Sequence, residues 1–289
     1  MTKIIISAVI NMLISAFSGF DNAVNNACDL MTGGGSLGFD MSSVWNSVLG
    51  MSNALKPFCY IVIGICLLIE MAEVASKVDI IRWEHGLKLA VKMVLSKVMI
   101  DIAPTFLKAC FNQATIWISS LSVNHVSIGA NLSMQLQSAV QGAGLKGLGT
   151  ALVLLLAASS LSLMINLCGI FIEAIAFGRM FEIYVLLMVS PLPCAFFPLG
   201  GDGTGGGFSR ITKKFFLNFI AVCLQGVMIF VCIQVFNLIM SGSISSLAVS
   251  SSDGITSVLN FCYVMAMAGI VLVVACAKCG SWARQILDA

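Results

Sequence analysis

Residues 148–177 read LGTALVLLLAASSLSLMINLCGIFIEAIAF, a run whose one charged residue is Glu173. A membrane-spanning helix needs roughly 20 predominantly apolar residues, and this stretch exceeds that length with no Pro and no basic residue. Its polar positions are ordered. Ser159, Ser162, Asn166, Gly169, Glu173 and Ala176 recur at steps of three and four, which puts small and polar groups on one helical face suited to close helix packing. Lipid does not tolerate unpaired backbone groups, so a segment of this kind spans as a helix.

The rest of the chain agrees with that reading. Of its 289 residues 59% are hydrophobic and 10% charged, with a mean hydropathy of +1.02, against about 25% charged in an ordinary soluble domain. Fifteen Lys plus Arg and thirteen Asp plus Glu cannot skin a 30.6 kDa globule, which excludes a soluble cytosolic enzyme and a disordered chain. A formal net charge of +2 gives no basic nucleic-acid footprint. Clean apolar runs recur at 57–75, 215–240 and 255–279, and runs of spanning length with polar groups lie at 88–119 and 180–199. The expected fold is all-α: a polytopic integral membrane helical bundle of five or six transmembrane helices over residues 55–289. Residues 1–54 are expected to form an external or interfacial segment, an amphipathic amino-terminal helix followed by a Gly-rich loop.

That first helix is read from a stripe. Ser7, Asn11, Ser15, Ser18, Asn22, Asn25 and Asp29 follow one another at steps of four and three, one polar line along a helix lying on or lining the membrane. A cleaved signal peptide fits less well because Asn11 interrupts the apolar core early.

Orientation follows the basic residues. Lys77, Arg82, Lys88 and Lys92 make the turn after the first clean span cytoplasmic. A full span at 180–199 would place Arg210, Lys213 and Lys214 outside. A re-entrant segment there, carrying Glu182, Pro191 and Pro193, keeps them inside with Lys278 and Arg284, and charge counting favours it.

The helix at 88–119 carries the most informative polar residues. Lys97, Asp101, Thr105, Lys108, Asn112, Thr115 and Ser119 share one face. A charge at the bilayer centre costs at least ~2.5 to 3.5 kcal/mol on insertion scales. This face is therefore expected to meet other helices or water, with Asp101 and Lys108, two turns apart, as partners. A structural ion pair and a polar conduit satisfy that cost equally. Elsewhere, Glu70, Glu73 and Lys77 share a face with Glu73 and Lys77 in the favourable i,i+4 order. Glu173, Arg179 and Glu182 are expected to form a self-neutralising charged knot, and Asn218, Gln225 and Cys232 fall at seven-residue intervals suited to interhelical amide bonding.

Signals for chemistry are weak. Most of the eleven Cys lie in apolar runs as small buried thiols; Cys276 and Cys279 have Cys-x-x-Cys spacing with no second pair or His after them. Gly201, Gly203 and Gly206 match G-x-G-x-x-G without the strand and βαβ unit that give that motif meaning. With imidazoles only at His85 and His125, no catalytic triad can be drawn. No metal and no cofactor is expected.

The order of elements, together with RMFEIYVLLMVSPLP at 179–193, a Gly-rich loop, and FSRITKKFFLNFI at 208–220, resembles the TrbL-like (VirB-type) polytopic conjugal transfer proteins of type IV secretion systems. The layout is similar over most of the chain and the residues over about 179–220. The resemblance implies a non-enzymatic, multi-pass component of a bacterial cytoplasmic membrane, without catalytic residues. It further implies several copies assembled with other type IV secretion subunits and a coupling ATPase, helping single-stranded DNA and its relaxase cross. The span at 255–279 departs from the family layout, whose cytoplasmic carboxy terminus it keeps only if 180–199 is re-entrant. On this reading the polar membrane face, structural or conduit, comprises Lys97, Asp101, Lys108, Asn112, Glu173 and Arg179, and Lys97, Asp101, Lys108, Glu173 and Arg179 tolerate change least. The competing reading is a small secondary transporter or ion channel using Asp101 and Glu173, although comparing residues 55–130 with 148–240 reveals no internal repeat. A holin-like pore former fits the composition but not the length.

Overall fold

In the computed structural model, residues 2–32, 41–77, 83–121, 148–197, 210–247 and 254–287 are described, and they are helical apart from short turns. The helices are α1 (Thr2–Met31), α2 (Met41–Lys77), α3 (Trp83–Ser120), α4 (Leu148–Val189), the short α5 (Pro191–Ala195), α6 (Arg210–Leu247) and α7 (Gly254–Leu287). The Gly-rich stretches 33–38 and 200–207, and His125, lie outside the described residues. Four helical stretches are long and apolar enough to cross a membrane: Ser43–Ala72, Leu155–Ala195, Arg210–Met240 and Tyr263–Leu287. The chain is thus a polytopic helical membrane protein. α3 falls short of that standard because of its charges, and 180–199 is not a separate span.

α4 supplies the reason. It runs unbroken for 42 residues, about 60 Å at 1.5 Å per residue, so residues 180–189 continue the helix begun at Leu148 and neither re-enter nor cross again. The helix stops where the sequence forces it to. Ser190, fully buried, turns its N–H and its hydroxyl onto the Leu187 carbonyl at 3.3 and 2.8 Å. Pro191, with its fixed φ and missing N–H, then opens α5 at a position where no donor is needed. If α4 crosses once, its end and Arg210, Lys213 and Lys214 fall on one side, and Arg284, which approaches Glu182 of α4 at 3.4 Å, falls with them. The charge rule is then met without re-entry.

The chain divides into two compact units. One comprises Met1–Leu37, Ile118–Gly178 and Gly226–Gly280, the other Gly38–Trp117, Arg179–Gln225 and Ser281–Ala289. In the first, α1 lies along the early part of α4. Lipid tails are as apolar as Leu, so helices in a membrane associate through close packing more than through apolar burial. Gly169 permits it: a Cβ there would lie 3.1 Å from the Ala23 Cβ and 3.4 Å from the Phe20 Cα. Phe20 also meets Phe236 at 5.9 Å between ring centroids, and Gly269 backs Cys168. The face of α1 formed by Val9, Leu13, Phe17, Phe20, Val24 and Ala27 is buried, while Ser7, Asn11, Ser15, Ser18 and Asn22 are exposed. The polar stripe expected from the sequence is real, on a helix packed against α4.

In the second unit α2 and α3 form an antiparallel hairpin, with Glu70 opposite Lys92, Tyr60 opposite Asp101 and Trp45 opposite Phe111. α5 caps its middle. Cys194 and Ala195 pack with Cys59 and Ile63 of α2 and Ile100 and Ala103 of α3. The buried Thr212 hydroxyl donates to the Pro193 carbonyl at 2.7 Å, which ties the start of α6 to α5.

Two outcomes follow from this fold. A reporter fused after Ala289 should sit in the cytoplasm: a fluorescent protein should fold and shine there, an alkaline phosphatase should stay inactive, and the reverse pattern would show that α4 does not cross once. Gly169→Leu should lower the stability of the purified protein in detergent by about 1 to 3 kcal/mol through overpacking. Gly178→Ala, where nothing lies within 4 Å, should leave the thermal midpoint unchanged or slightly raised.

Candidate functional site

The sequence singles out one face of α3, and the structure divides that helix into three. Ser96, Ile100, Ala103, Leu107, Ala114 and Ile118 are buried. Val94, Val98, Ile102 and Ile116 are exposed and apolar, a surface matched to lipid. Between them runs the polar stripe: Lys97, Asp101, Thr105, Asn112 and Ser119 are exposed, Lys108 and Thr115 half-buried.

Its charged members do not pair with each other, contrary to expectation. Asp101 accepts a hydrogen bond from the Tyr60 hydroxyl at 2.8 Å and lies 3.6 Å from the Lys56 ammonium, both on α2. The Lys108 ammonium sits over the Trp45 ring, 5.5 Å from its centroid. Seven residues along a helix separate Asp101 from Lys108 by about 10 Å of axis, whereas the hairpin brings α2 within direct reach of both. Trp45 anchors that end: it stacks on Phe111 at 5.5 Å and meets Tyr184 edge-on at 5.6 Å.

Glu70 also turns out differently. It is buried and paired with Lys92 inside the hairpin. Ser96, one turn on, donates its hydroxyl to the Lys92 carbonyl at 2.8 Å. The side chains of Glu73, Lys77, His85 and Lys88 lie outside the described residues.

The expected knot of Glu173, Arg179 and Glu182 forms without Glu173. Arg179, 7% exposed, pairs with Glu182 and donates to the Val222 carbonyl at 2.8 Å, and Arg284 approaches Glu182 at 3.4 Å. Six residues on a helix rotate by about 240°, so Glu173 faces away from Arg179. Glu173 is half-buried and has no ion-pair partner among the described residues. Of the amide line, Gln225 is buried and Asn218 half-buried. The Cys232 thiol lies 3.6 Å from that of Cys279, so the Cys-x-x-Cys segment meets a third thiol from α6. Among the described residues no three His, Cys, Asp or Glu cluster as metal ligands.

Sequence reasoning overlooked Asp21, Trp45, Lys56 and Tyr60. Asp21 is buried in α1, and a signal for it existed: it falls four residues after Phe17 and three before Val24, an acid on the apolar repeat. The other three act through α2 and α3 facing each other, which no local pattern reveals.

A family model for TrbL/VirB6 plasmid conjugal transfer like proteins matches residues 37–191, more than half of the chain. The chain belongs to the TrbL/VirB6 plasmid conjugal transfer family. No curated protein and no solved structure matches it. The matched segment contains α2, α3, α4 and the ion pairs Lys56 with Asp101, Glu70 with Lys92 and Arg179 with Glu182. It overlaps the run at 179–193 but stops before the basic, aromatic start of α6, so α2 to α4 carry the TrbL/VirB6 membership. Membership makes the chain a component of conjugal transfer by type IV secretion.

The two hairpin pairs should differ in weight. Glu70→Ala removes the acid that pairs with Lys92 inside the hairpin and should cost about 3 to 5 kcal/mol. Lys56→Ala opens a pair in which Lys56 is half-buried and Asp101 exposed, and Asp101 keeps the Tyr60 hydroxyl, so the loss should be smaller. Thermal unfolding in one detergent tests the order, and an equal or larger loss from Lys56→Ala would refute it.

Proposed function

We propose that the chain is a non-enzymatic channel or scaffold subunit in the cytoplasmic membrane of a conjugative bacterium. On this reading it works in several copies with other type IV secretion subunits and the coupling ATPase, and helps single-stranded DNA and its relaxase across. The observation that carries the proposal is that the family match spans the α2–α3 hairpin, whose polar stripe stays exposed beside an apolar lipid-facing surface. A face of that kind inside a membrane belongs against another subunit or along an aqueous path. Lys97, Asp101, Lys108 and Asn112 are its members, and Arg179 holds α4 to α6 through the Val222 carbonyl.

The transporter reading draws no support from the placement of its acids. Asp101 is already engaged on α2, paired with Lys56 and accepting from the Tyr60 hydroxyl.

A clean in-frame deletion in the donor should reduce conjugative transfer to background while the relaxase still nicks its origin, and the intact gene supplied in trans should restore transfer. Transfer at the normal rate in the deletion strain would end this reading. The detergent-extracted protein, co-expressed with its operon neighbours, should appear by native mass spectrometry in a complex with other membrane subunits and an ATPase. A lone monomer or dimer would favour a transporter.

A further inference from the structure

We infer that Cys232 of α6 and Cys279 of α7 form an oxidisable thiol pair. A hydroperoxide takes Cys232 to the sulfenic acid, Cys279 condenses with it, and the resulting disulfide ties α6 to α7 within the first compact unit.

Distance is the first reason. The two sulfurs lie 3.6 Å apart, and a disulfide sets them at about 2.05 Å. The remaining closure of about 1.5 Å lies within the arc that a Cys sulfur sweeps as it turns about its Cα–Cβ bond, so neither helix has to shift. The residues are 47 apart in sequence and belong to one compact unit. Helix packing therefore holds the thiols together. The Cys-x-x-Cys spacing of Cys276 and Cys279 suggests a bond inside α7, but the sulfur set against Cys279 comes from α6.

Burial sets the order of events. Cys232 is half-buried, whereas Cys276 and Cys279 are each 0% exposed. A peroxide meets the reachable thiol before a covered one. Cys232 is thus the attacked residue: its sulfur takes one oxygen as the O–O bond breaks, giving Cys232–SOH and releasing the alcohol. The Cys279 sulfur then attacks that of Cys232. The S–S bond forms, the S–OH bond breaks, and the hydroxyl leaves as water with the Cys279 proton. The pair has given up two electrons, which reduce one hydroperoxide to its alcohol. A resolving thiol already in contact traps the sulfenic acid before a second oxidation can make it sulfinic. Lys278, exposed beside Cys279, and Arg284 further along mark this as the end of α7 nearest water. A small peroxide can arrive there and the product water can leave.

The test uses the full chain in isolated membranes, first reduced, then exposed to cumene hydroperoxide. Remaining thiols are alkylated before digestion and mass spectrometry. The wild type should yield a cross-link between the peptides carrying Cys232 and Cys279, reversed by dithiothreitol, and Cys276→Ser should yield the same link. Either Cys232→Ser or Cys279→Ser should lose it. In Cys279→Ser, Cys232 should be captured by dimedone as the sulfenic acid or found as the sulfinic acid. In Cys232→Ser, Cys279 should remain a free thiol. The wild-type mapping needs no variant and decides the matter even where a serine chain fails to accumulate. A bond between Cys276 and Cys279, a bond to Cys28 or to another chain, or both thiols still alkylated after peroxide would each overturn the pair. Dimedone capture at Cys279 in place of Cys232 would overturn the order of attack.

Discussion

Glu70 and Lys92 meet inside the α2–α3 hairpin, and their pairing is the constraint around which the second unit is arranged. In water two apolar helices are driven together by burying surface; in lipid that drive is absent, and register must come from packing and polar contacts. An ion pair suits this purpose because an unpaired charge in low dielectric is far costlier than a lost methyl contact. With Glu70 against Lys92, the antiparallel geometry brings Tyr60 and Lys56 to Asp101 and Trp45 to Phe111 and Lys108. Three polar contacts at successive levels fix one register, because sliding the helices by a turn would unpair all of them.

That register also decides which way the rest of α3 faces. Ile100, Ala103 and Leu107 are committed to α2 and α5 or buried beside them. The stripe from Lys97 to Thr115 lies one side over, so it cannot enter the same core. α5 completes the arrangement by a backbone device: the Ser190 turn and two prolines bring Cys194 and Ala195, small enough for close approach, onto the middle of the hairpin.

Much of this was legible in the residues, and the limit has a physical cause. Periodicity within one helix reports which residues share a face, so the α1 stripe, the α3 stripe and the small-residue face of α4 at Gly169 could all be read directly. Partner choice depends on how two helices cross, which no single periodicity encodes. Spacing alone thus pairs Asp101 with Lys108 on its own helix, whereas the hairpin gives it Lys56 and Tyr60. The same limit explains Cys279, whose neighbour Cys232 lies 47 residues away. Helix ends failed differently: Pro191 and Pro193 suggested a re-entrant dip, but prolines at the start of a short helix end the preceding one without bending it back. Glu173 stays outside the charged knot because a six-residue step along a helix rotates by about 240°.

The charge content of α3 is best understood through the hairpin. Taken alone, a helix with Lys97, Asp101 and Lys108 in its middle is a poor membrane span, and it fails the test of apolarity that α2, α4, α6 and α7 pass. α2 changes that assessment by providing Lys56, Tyr60 and Trp45, which absorb two of the three charges before lipid or a partner meets them. What α3 presents outward is a mixed surface, apolar on one flank and neutral-polar on the next. The apolar flank can remain in lipid as it is. The neutral-polar flank is satisfied in part by the helix itself, since the Thr115 hydroxyl donates to the Asn112 carbonyl at 2.8 Å, which is how a helix carries hydroxyls into an apolar setting without leaving a donor unpaired.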